Sequence, residues 1–197
     1  MNLIELQDVA ATCTDCSLHK GRQTPVFAKG NPEAPIMIIG MCPGPDENSL
    51  ENEEGWPFVG RAGKLLDDIL QDAELTYKDV YITNVVKCFL KPGIRLDDLW
   101  IDRCMPYLMG QIMNIEPKIL VTLGADASRS LLNKPLSASL GSMRKKRYKF
   151  TDKISIISTY HPSYFLRSGG RKHPHYNKIL KDLAWVKEIL SRKEERL

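Results

Sequence analysis

Three groups that could take part in chemistry follow strand-like apolar segments of this sequence. The segment PIMIIG (35–40) leads into the tight loop MCPG (41–44), the segment DVYITN ends at Asn84, and the segment KISIISTY is followed by His161. In a parallel sheet, ligands bind beyond the carboxyl ends of the strands, where the connecting loops gather. Taken alone, such an asparagine is usually a turn former and such a histidine is usually structural. Because all three groups share one place in the topology, we expect them to form a ligand site.

The cysteines provide a second possible centre. Cys13 and Cys16 form the motif CTDC, and Cys88 and Cys104 lie farther along the chain with fifteen residues between them. Four cysteines in a chain that we expect to be cytosolic favour a metal site or cluster over disulfides. The four thiolates would satisfy either a tetrahedral zinc ion or a [4Fe–4S] cluster, and their spacing does not separate the two. For the fifth cysteine, Cys42, we expect the backbone to matter more than the thiol.

The elements that must position these groups are short and clearly patterned. Four runs are rich in β-branched residues and almost fully apolar, as strands buried on both faces are: 35–40, 79–84, 118–124 and 153–160. Stripes of apolar residues at helical spacing follow Gly63, cover 96–112 with an interruption at Pro106, and cover 176–193. Strands that alternate with helices imply a largely parallel sheet with helices on both sides. We therefore predict one α/β domain spanning 1–197, with three α/β/α layers around a central, mostly parallel, four-stranded sheet.

Composition and charge indicate a soluble protein but identify no partner. Hydrophobic residues make up 43% and charged residues 26% of the 197-residue chain, which is ordinary for one globular domain. No apolar run approaches a membrane span, and the N-terminus lacks the apolar core of a signal peptide, so we expect a cytoplasmic protein without a membrane partner. The net charge of +4 is too small to identify a partner, although basic clusters at 144–149 and 167–173 and an acidic stretch at 46–54 make the charge uneven.

Six segments together carry a resemblance to a known family. The chain resembles the iron–sulfur uracil-DNA glycosylases of family 4, the thermostable type, nearly from end to end, through CTDCSLHKGRQTPVFAKGNPEAPIMIIG, GWPFVGRAGKLL, YITNVVKC, CMPYL, ILVTLGADAS and TYHPSYFLR. This resemblance implies that a [4Fe–4S] cluster is held by Cys13, Cys16, Cys88 and Cys104. It also implies that the cluster is structural, and that it ties the N-terminal segment and the loop after the second strand to the rest of the domain.

The resemblance also implies a pocket for an extruded base, because the bond to be broken cannot be reached inside a duplex. The backbone that cradles uracil is expected to come from Gly40, Met41, Cys42 and Pro43. Phe58 is expected to stack on the base, and the Asn84 amide to match O4 and N3–H of uracil, a pattern that cytosine reverses. His161 is expected to donate to O2 and stabilise the departing anion.

The same resemblance suggests how DNA is held. Contacts to phosphates, and the loop that enters the duplex, are expected from Ser163, Arg167, Arg144, Lys145, Lys146 and Arg147. The expected partner is uracil-containing DNA, single- or double-stranded, bound by a monomer. The acidic loop 45–55 could also dock a partner such as a replication clamp.

Two departures from the family pattern affect the chemistry. The family typically shows Gly-Glu-x-Pro-Gly after the first strand, whereas this chain has Met41 in place of the glutamate and a loop about four residues longer. Because a methionine cannot orient water, we nominate Glu47 and Asp46 as water-positioning groups. A related branch captures uracil through a histidine in the basic loop before the last strand, but the segment GSMRKKRYKF contains no histidine. Covalent capture is therefore not expected.

The sequence thus predicts a monofunctional DNA repair glycosylase that releases uracil and leaves an abasic site. Attack by water rather than by a lysine follows from the absence of lysine at the strand-end positions. The substitution Met41 keeps open an alternative, a protein that binds uracil or other deaminated bases in DNA without hydrolysis. An iron–sulfur redox or scaffold protein is a third alternative, which only the cysteines support.

Overall fold

Six β-strands and seven α-helices form the part of the chain that the structure describes. The structure, a computed structural model, describes residues 1–167 and 169–194, so Ser168 and residues 195–197 of the predicted domain lie outside it. The strands are β1 (Ala28–Gly30), β2 (Ile36–Gly40), β3 (Val80–Asn84), β4 (Ile119–Leu123), β5 (Arg147–Lys149) and β6 (Ser155–Thr159). The helices are α1 (Leu3–Ala11), α2 (Arg61–Asp72), α3 (Asp98–Ile115), α4 (Gly124–Leu132), α5 (Leu140–Met143), α6 (Pro162–Leu166) and α7 (Tyr176–Glu194).

The strands form one mixed sheet in the order β1-β3-β2-β4-β6-β5. The central four strands, β3, β2, β4 and β6, run parallel, and every residue in them is buried. The α/β class is therefore confirmed, and the four predicted strands are the centre of the sheet. Two antiparallel edge strands, β1 and β5, make the sheet six-stranded rather than four-stranded. Each has three residues, too few to show a period in the sequence.

Helices cover both faces of the sheet because successive strand residues point to opposite sides. One face carries Ile36, Ile38, Val80 and Ile82 and packs against apolar residues of α2 and α7. The other face carries Met37, Ile39 and Tyr81 and packs against apolar residues of α1 and α3. Each fully buried aliphatic side chain of these layers contributes about 1.5–3 kcal/mol to folding. No helix in the described part of the chain is both long and apolar enough to cross a membrane.

The parallel arrangement brings the carboxyl ends of the four central strands to one edge of the sheet. Gly40 at the end of β2 pairs with Asn84 at the end of β3. On the other side of the sheet centre, a β-carbon added to Gly124, just after β4, would lie 3.2 Å from the β-carbon of His161, just after β6. The four strand ends therefore place the predicted site residues side by side.

Candidate functional site

Gly40 is the centre of the candidate pocket. A β-carbon at this position would overlap with Oδ1 of Asn84 and would lie 2.8 Å from the ring atom Cζ of Phe58. The amide and the aromatic ring therefore both lie directly against Gly40. Beyond the strands, the Val85 N–H donates to the Gly40 carbonyl (2.9 Å) and the Val86 N–H donates to the Met41 carbonyl (2.9 Å). These bonds fix the start of the MCPG loop against the segment that carries Asn84.

Phe58 is held in an unusual backbone conformation. Its φ is +56°, in the left-handed region that a phenylalanine rarely adopts. The Lys29 ammonium donates to its carbonyl (3.0 Å), and any β-carbon on Gly63 would overlap with that same carbonyl. Its ring is 5% exposed and lies 5.7 Å, centroid to centroid, from the ring of His161. The surrounding structure thus fixes Phe58 as one wall of the pocket.

His161 is a neutral imidazole, and its hydrogen bonds show which ring nitrogen carries the proton. It caps the N-terminus of α6, where Nδ1 accepts from the Ser163 N–H (3.1 Å) and lies 2.8 Å from the Ser163 hydroxyl. Because Nδ1 accepts, the proton of the neutral ring is on Nε2. Loss of solvent lowers the pKa of His161 to about 4, against a smaller opposing effect of the Asp126 carboxylate. At neutral pH, His161 therefore offers an uncharged Nε2–H donor.

The two acidic candidates occupy different environments. Glu47 is buried, and its Oε2 accepts from the Gly44 N–H (2.8 Å), so that it supports the MCPG loop. The buried amide of Asn52 in turn donates to the Glu47 carbonyl (2.9 Å). Asp46 is exposed and lies against Gly60 at the start of α2. The structure therefore separates a carboxylate that shapes the loop from one that is open to solvent.

Met41 and Cys42 follow Gly40 and lie beside α4. The Met41 sulfur accepts a long contact from the Ser130 hydroxyl on α4 (3.7 Å). Both side chains line a groove of about 750 Å³ that Asp126 and Arg129 also line. Burial raises the pKa of the Cys42 thiol to about 11, so it is protonated at neutral pH. Met41, which replaces the family glutamate, thus directs its sulfur toward α4.

Arg144 is the one basic candidate whose position contradicts its predicted role. It is 7% exposed, and its Nε and Nη2 each donate to the Asp182 carboxylate on α7 (2.9 Å). Its guanidinium also lies 4.3 Å from the centre of the Tyr160 ring. A buried guanidinium with these partners cannot reach a phosphate. We therefore correct the prediction that Arg144 contacts DNA: it anchors the basic cluster 144–149 to α7.

The other DNA-contact candidates are exposed. Lys145, Lys146 and Arg147 follow the buried anchor, and Ser163 and Arg167 belong to α6 and its end. Arg147 also donates from Nε to the Ser155 hydroxyl (2.8 Å). Lys145 and Lys146 precede β5, Arg147 begins it, and Ser163 and Arg167 lie in and just after α6, so all five are near the end of β6 that carries His161.

One buried residue of the site is not apparent in the sequence. Lys87 is 1% exposed, and its ammonium donates to the carbonyl of Asn84 (2.6 Å) and to the side chains of Thr83 and Gln111. Burial lowers the pKa of Lys87 to about 7. A lysine in a sequence normally indicates a surface position. The only indication of its importance in the sequence is that Lys87 lies inside the motif TNVVKC.

The four predicted metal-ligating cysteines line one small cavity. Cys13, Cys16, Cys88 and Cys104 surround it together with the basic residues His19, Arg22, Lys87 and Arg103. The Arg22 guanidinium donates to the Cys88 sulfur (3.1 Å), and the Lys87 N–H donates to the Cys104 sulfur (3.2 Å). Burial raises the pKa of the Cys104 thiol to about 11 and also raises that of Cys88, where Arg22 opposes it. Within residues 1–167 and 169–194, no group of three or more His, Cys, Asp or Glu side chains is placed to hold a metal ion.

The sequence is similar to known proteins over almost its whole length. The family model described as the uracil DNA glycosylase superfamily matches residues 27–184. A protein from Saccharolobus solfataricus named type-4 uracil-DNA glycosylase is 39% identical over 98% of this chain and 88% of its own length. Proteins of the same name from Pyrobaculum aerophilum (32% identical; 93% of this chain, 92% of the relative) and Thermotoga maritima (33% identical; 91% and 90%) are also similar.

Proposed function

Because the chain belongs to the uracil DNA glycosylase superfamily, we propose that it hydrolyses the N-glycosidic bond of deoxyuridine in DNA. The products would be free uracil and an abasic site. The observation that carries the proposal is that Phe58 and Asn84 lie against Gly40, with His161 beside the Phe58 ring, where the parallel strands end. This set provides a stacking surface, an amide that can read a base edge and a neutral N–H donor.

The reaction that we propose uses these groups in a pocket for a flipped base. The Phe58 ring would stack on uracil, and the absence of a side chain at Gly40 allows that ring and the Asn84 amide both to lie directly against the end of β2. The amide would donate to O4 and accept from N3–H, a pair of bonds that cytosine cannot make. The Nε2–H of His161 would donate to O2 as negative charge develops on the leaving base, and a neutral donor in a poorly solvated site needs no reorganisation for this.

We propose water as the nucleophile, with Asp46 and Glu47 positioning it. Asp46 is exposed beside Gly60 and would position the water on the sugar side, whereas Glu47 would act mainly through the Gly44 backbone that it supports. Negative charge on both residues would also favour the positive charge that develops on the sugar. Met41 contributes its backbone to the base cradle and takes no part in this step.

The exposed basic residues would hold the DNA backbone. Contacts to phosphates are proposed for Lys145, Lys146, Arg147, Ser163 and Arg167, which lie near the end of β6. Ser163 would contribute twice, because its N–H also orients His161. Binding through phosphates positions DNA without reading its sequence, as a repair enzyme requires.

We further propose that the cysteine cavity holds a structural [4Fe–4S] cluster, bound by Cys13, Cys16, Cys88 and Cys104. The donor set fits by residue type, because iron–sulfur clusters are held by cysteine thiolates and all four cysteines line the same cavity. N–H donors directed at two of the sulfurs and the cations around the cavity would stabilise the negative charge of such a cluster. When bound, the cluster would tie the segment after α1 to the loop after β3 and to helix α3. We also propose a monomer acting in the cytoplasm, and the acidic loop 45–55 as a site for a replication clamp.

The activity can be tested by single-turnover release of uracil from a labelled oligonucleotide with one deoxyuridine. We expect release by the wild type and a loss of about 10²–10³-fold in Asn84→Ala and in His161→Ala. Gln71→Ala, on the exposed side of α2, serves as the matched control and should keep the full rate. Tight binding of uracil-containing DNA without any release would refute hydrolysis and support the non-hydrolytic alternative.

The cluster has a separate test that does not depend on activity. Iron and sulfide should both be found in the purified protein and be lost in Cys88→Ser. Cys42→Ser is the control, because Cys42 does not line the cysteine cavity. Stoichiometric zinc in place of iron would contradict the proposed cofactor.

A further inference from the structure

Lys87 is a buried basic residue whose hydrogen-bond partners are neutral oxygens. Its Nζ donates to Oγ1 of Thr83 (2.7 Å), to the carbonyl of Asn84 (2.6 Å) and to Oε1 of Gln111 (2.6 Å). The ring of Phe27 lies 5.9 Å from the same nitrogen. Moving an ammonium group out of water is strongly unfavourable unless hydrogen bonds replace its hydration. We therefore expect the lysine to have a role that an apolar side chain of the same length could not fill.

The partners of Lys87 are themselves fixed by a wider network in the core. The Gln111 amide donates to the Phe27 carbonyl (3.1 Å) and lies 3.3 Å from the Tyr81 hydroxyl. The Thr83 hydroxyl donates to the same Phe27 carbonyl (2.7 Å). Because these groups connect α3 to the edge of the sheet, the ammonium is held from three directions and its own position is well defined.

The bond to Asn84 is the one that reaches the pocket. The peptide between Asn84 and Val85 is held on both sides, by Lys87 at its carbonyl and by the Gly40 carbonyl at its N–H. The side chain of Asn84 projects from this peptide against Gly40. A rotation of the peptide would therefore turn the amide away from the base edge that it is proposed to read.

We propose that Lys87 is a positioning residue for base recognition, which fixes the Asn84 backbone so that the amide keeps the orientation that selects uracil. This inference rests on the proposed function, since it assigns Asn84 its role in reading uracil. Lys87 does not touch the base. It acts through Asn84, in the way that outer groups orient the residues that contact a ligand.

The main chain of Lys87 has a separate contact, which makes the side chain testable by itself. Its N–H donates to the Cys104 sulfur (3.2 Å), and Cys88 is the next residue. Replacing the side chain leaves this N–H in place. Lys87→Met keeps the length of the side chain and removes its three donors, so iron content should stay at the wild-type level while base recognition changes.

The test measures inhibition by free uracil, together with single-turnover release from a deoxyuridine oligonucleotide. In Lys87→Met we expect the inhibition constant for uracil to rise about tenfold or more, because the Asn84 carbonyl loses its buried partner. An inhibition constant does not depend on the fraction of active protein, so a loss of stability alone would leave it unchanged. Ser158→Ala is the matched control, since it removes a buried hydrogen bond to Thr122 in the neighbouring strands, away from Asn84.

The double variant Lys87→Met/Gln111→Leu separates positioning from stability. Replacing Gln111 as well removes one of the acceptors that Lys87→Met leaves unsatisfied and should recover part of the stability, while the Asn84 carbonyl still lacks its partner. We expect the weak inhibition by uracil to persist in the double variant, which also serves as the test protein if Lys87→Met does not fold. An inhibition constant equal to the wild-type value in either variant would overturn the inference. A wild type that releases no uracil would instead overturn the proposed function.

Discussion

The protonation state of His161 leads to a prediction about pH that differs from that of an ordinary histidine. The pKa of about 4 means that the ring is neutral throughout the neutral range, with its proton on Nε2. His161→Gln removes the titrating group and keeps an N–H donor of similar size. The ratio of the wild-type to the variant rate of uracil release should therefore be constant from about pH 5 to about pH 8, where an unperturbed histidine would titrate.

The low pKa of His161 also determines how strongly the stability of the fold depends on pH. A histidine with a pKa of about 6.5 in the unfolded chain and about 4 in the fold binds protons preferentially when unfolded. Its contribution to stability is thus fully present above about pH 6.5 and is lost as the pH falls toward 4. The difference of about 2.5 pKa units corresponds to at most about 3.5 kcal/mol, since one pKa unit is worth about 1.4 kcal/mol. Over this interval the wild type should lose that much more stability than His161→Gln.

Two measurements check this reasoning on the same pair of proteins. Single-turnover rates on one oligonucleotide give the ratio at each pH, and urea unfolding at about pH 7 and about pH 4.5 gives the difference in stability. Other groups that titrate contribute equally to both proteins and cancel. A tenfold change of the rate ratio near pH 6.5, or equal acid sensitivity of the two proteins, would show that His161 is solvated and titrates normally.

Three further substitutions test a close contact in the pocket, a buried ion pair and a phosphate contact. Gly40→Ala should reduce uracil release strongly and destabilise the fold by about 1–3 kcal/mol, measured by denaturant unfolding, because the added carbon overlaps with Oδ1 of Asn84. Arg144→Met should lower the free energy of unfolding by about 3–5 kcal/mol, since it leaves the Asp182 carboxylate buried without its cation; a change below 1 kcal/mol would contradict this pairing. Lys146→Ala should keep wild-type stability but flatten the salt dependence of DNA binding by about 0.7–0.9 in the logarithmic slope, and an unchanged slope would remove it from the phosphate contacts.

The parts of the fold that were predictable are those whose residues show a local pattern. Strands buried on both faces give continuous apolar runs, and parallel topology then places their ends together, which is why Asn84 and His161 could be assigned to one site. The edge strands, with the sequences AKG and RYK, have no such pattern. Pro106 was expected to interrupt the helical stripe, yet α3 continues through it, because the proline lies on the exposed side of the helix.

The residues that were misread or missed depend on partners far away in the chain. In the segment RKKRYK all cations look alike, and Arg144 differs only because Asp182, 38 positions later, folds against it. The burial of Lys87 likewise depends on Gln111, 24 positions away. Such pairings are set by tertiary packing, and a single sequence holds no periodic signal for them.

The left-handed backbone at Phe58 has a consequence for how this protein can change over time. Holding a phenylalanine at a φ of +56° costs about 1–3 kcal/mol, which the free protein carries before any DNA binds. Glycine or asparagine would relieve this strain, but either would remove the ring from the pocket wall. Selection for stability and selection for repair therefore act in opposite directions at this position. A laboratory evolution experiment that rewarded heat resistance alone should lose the aromatic ring early, whereas one that also required removal of uracil should retain it.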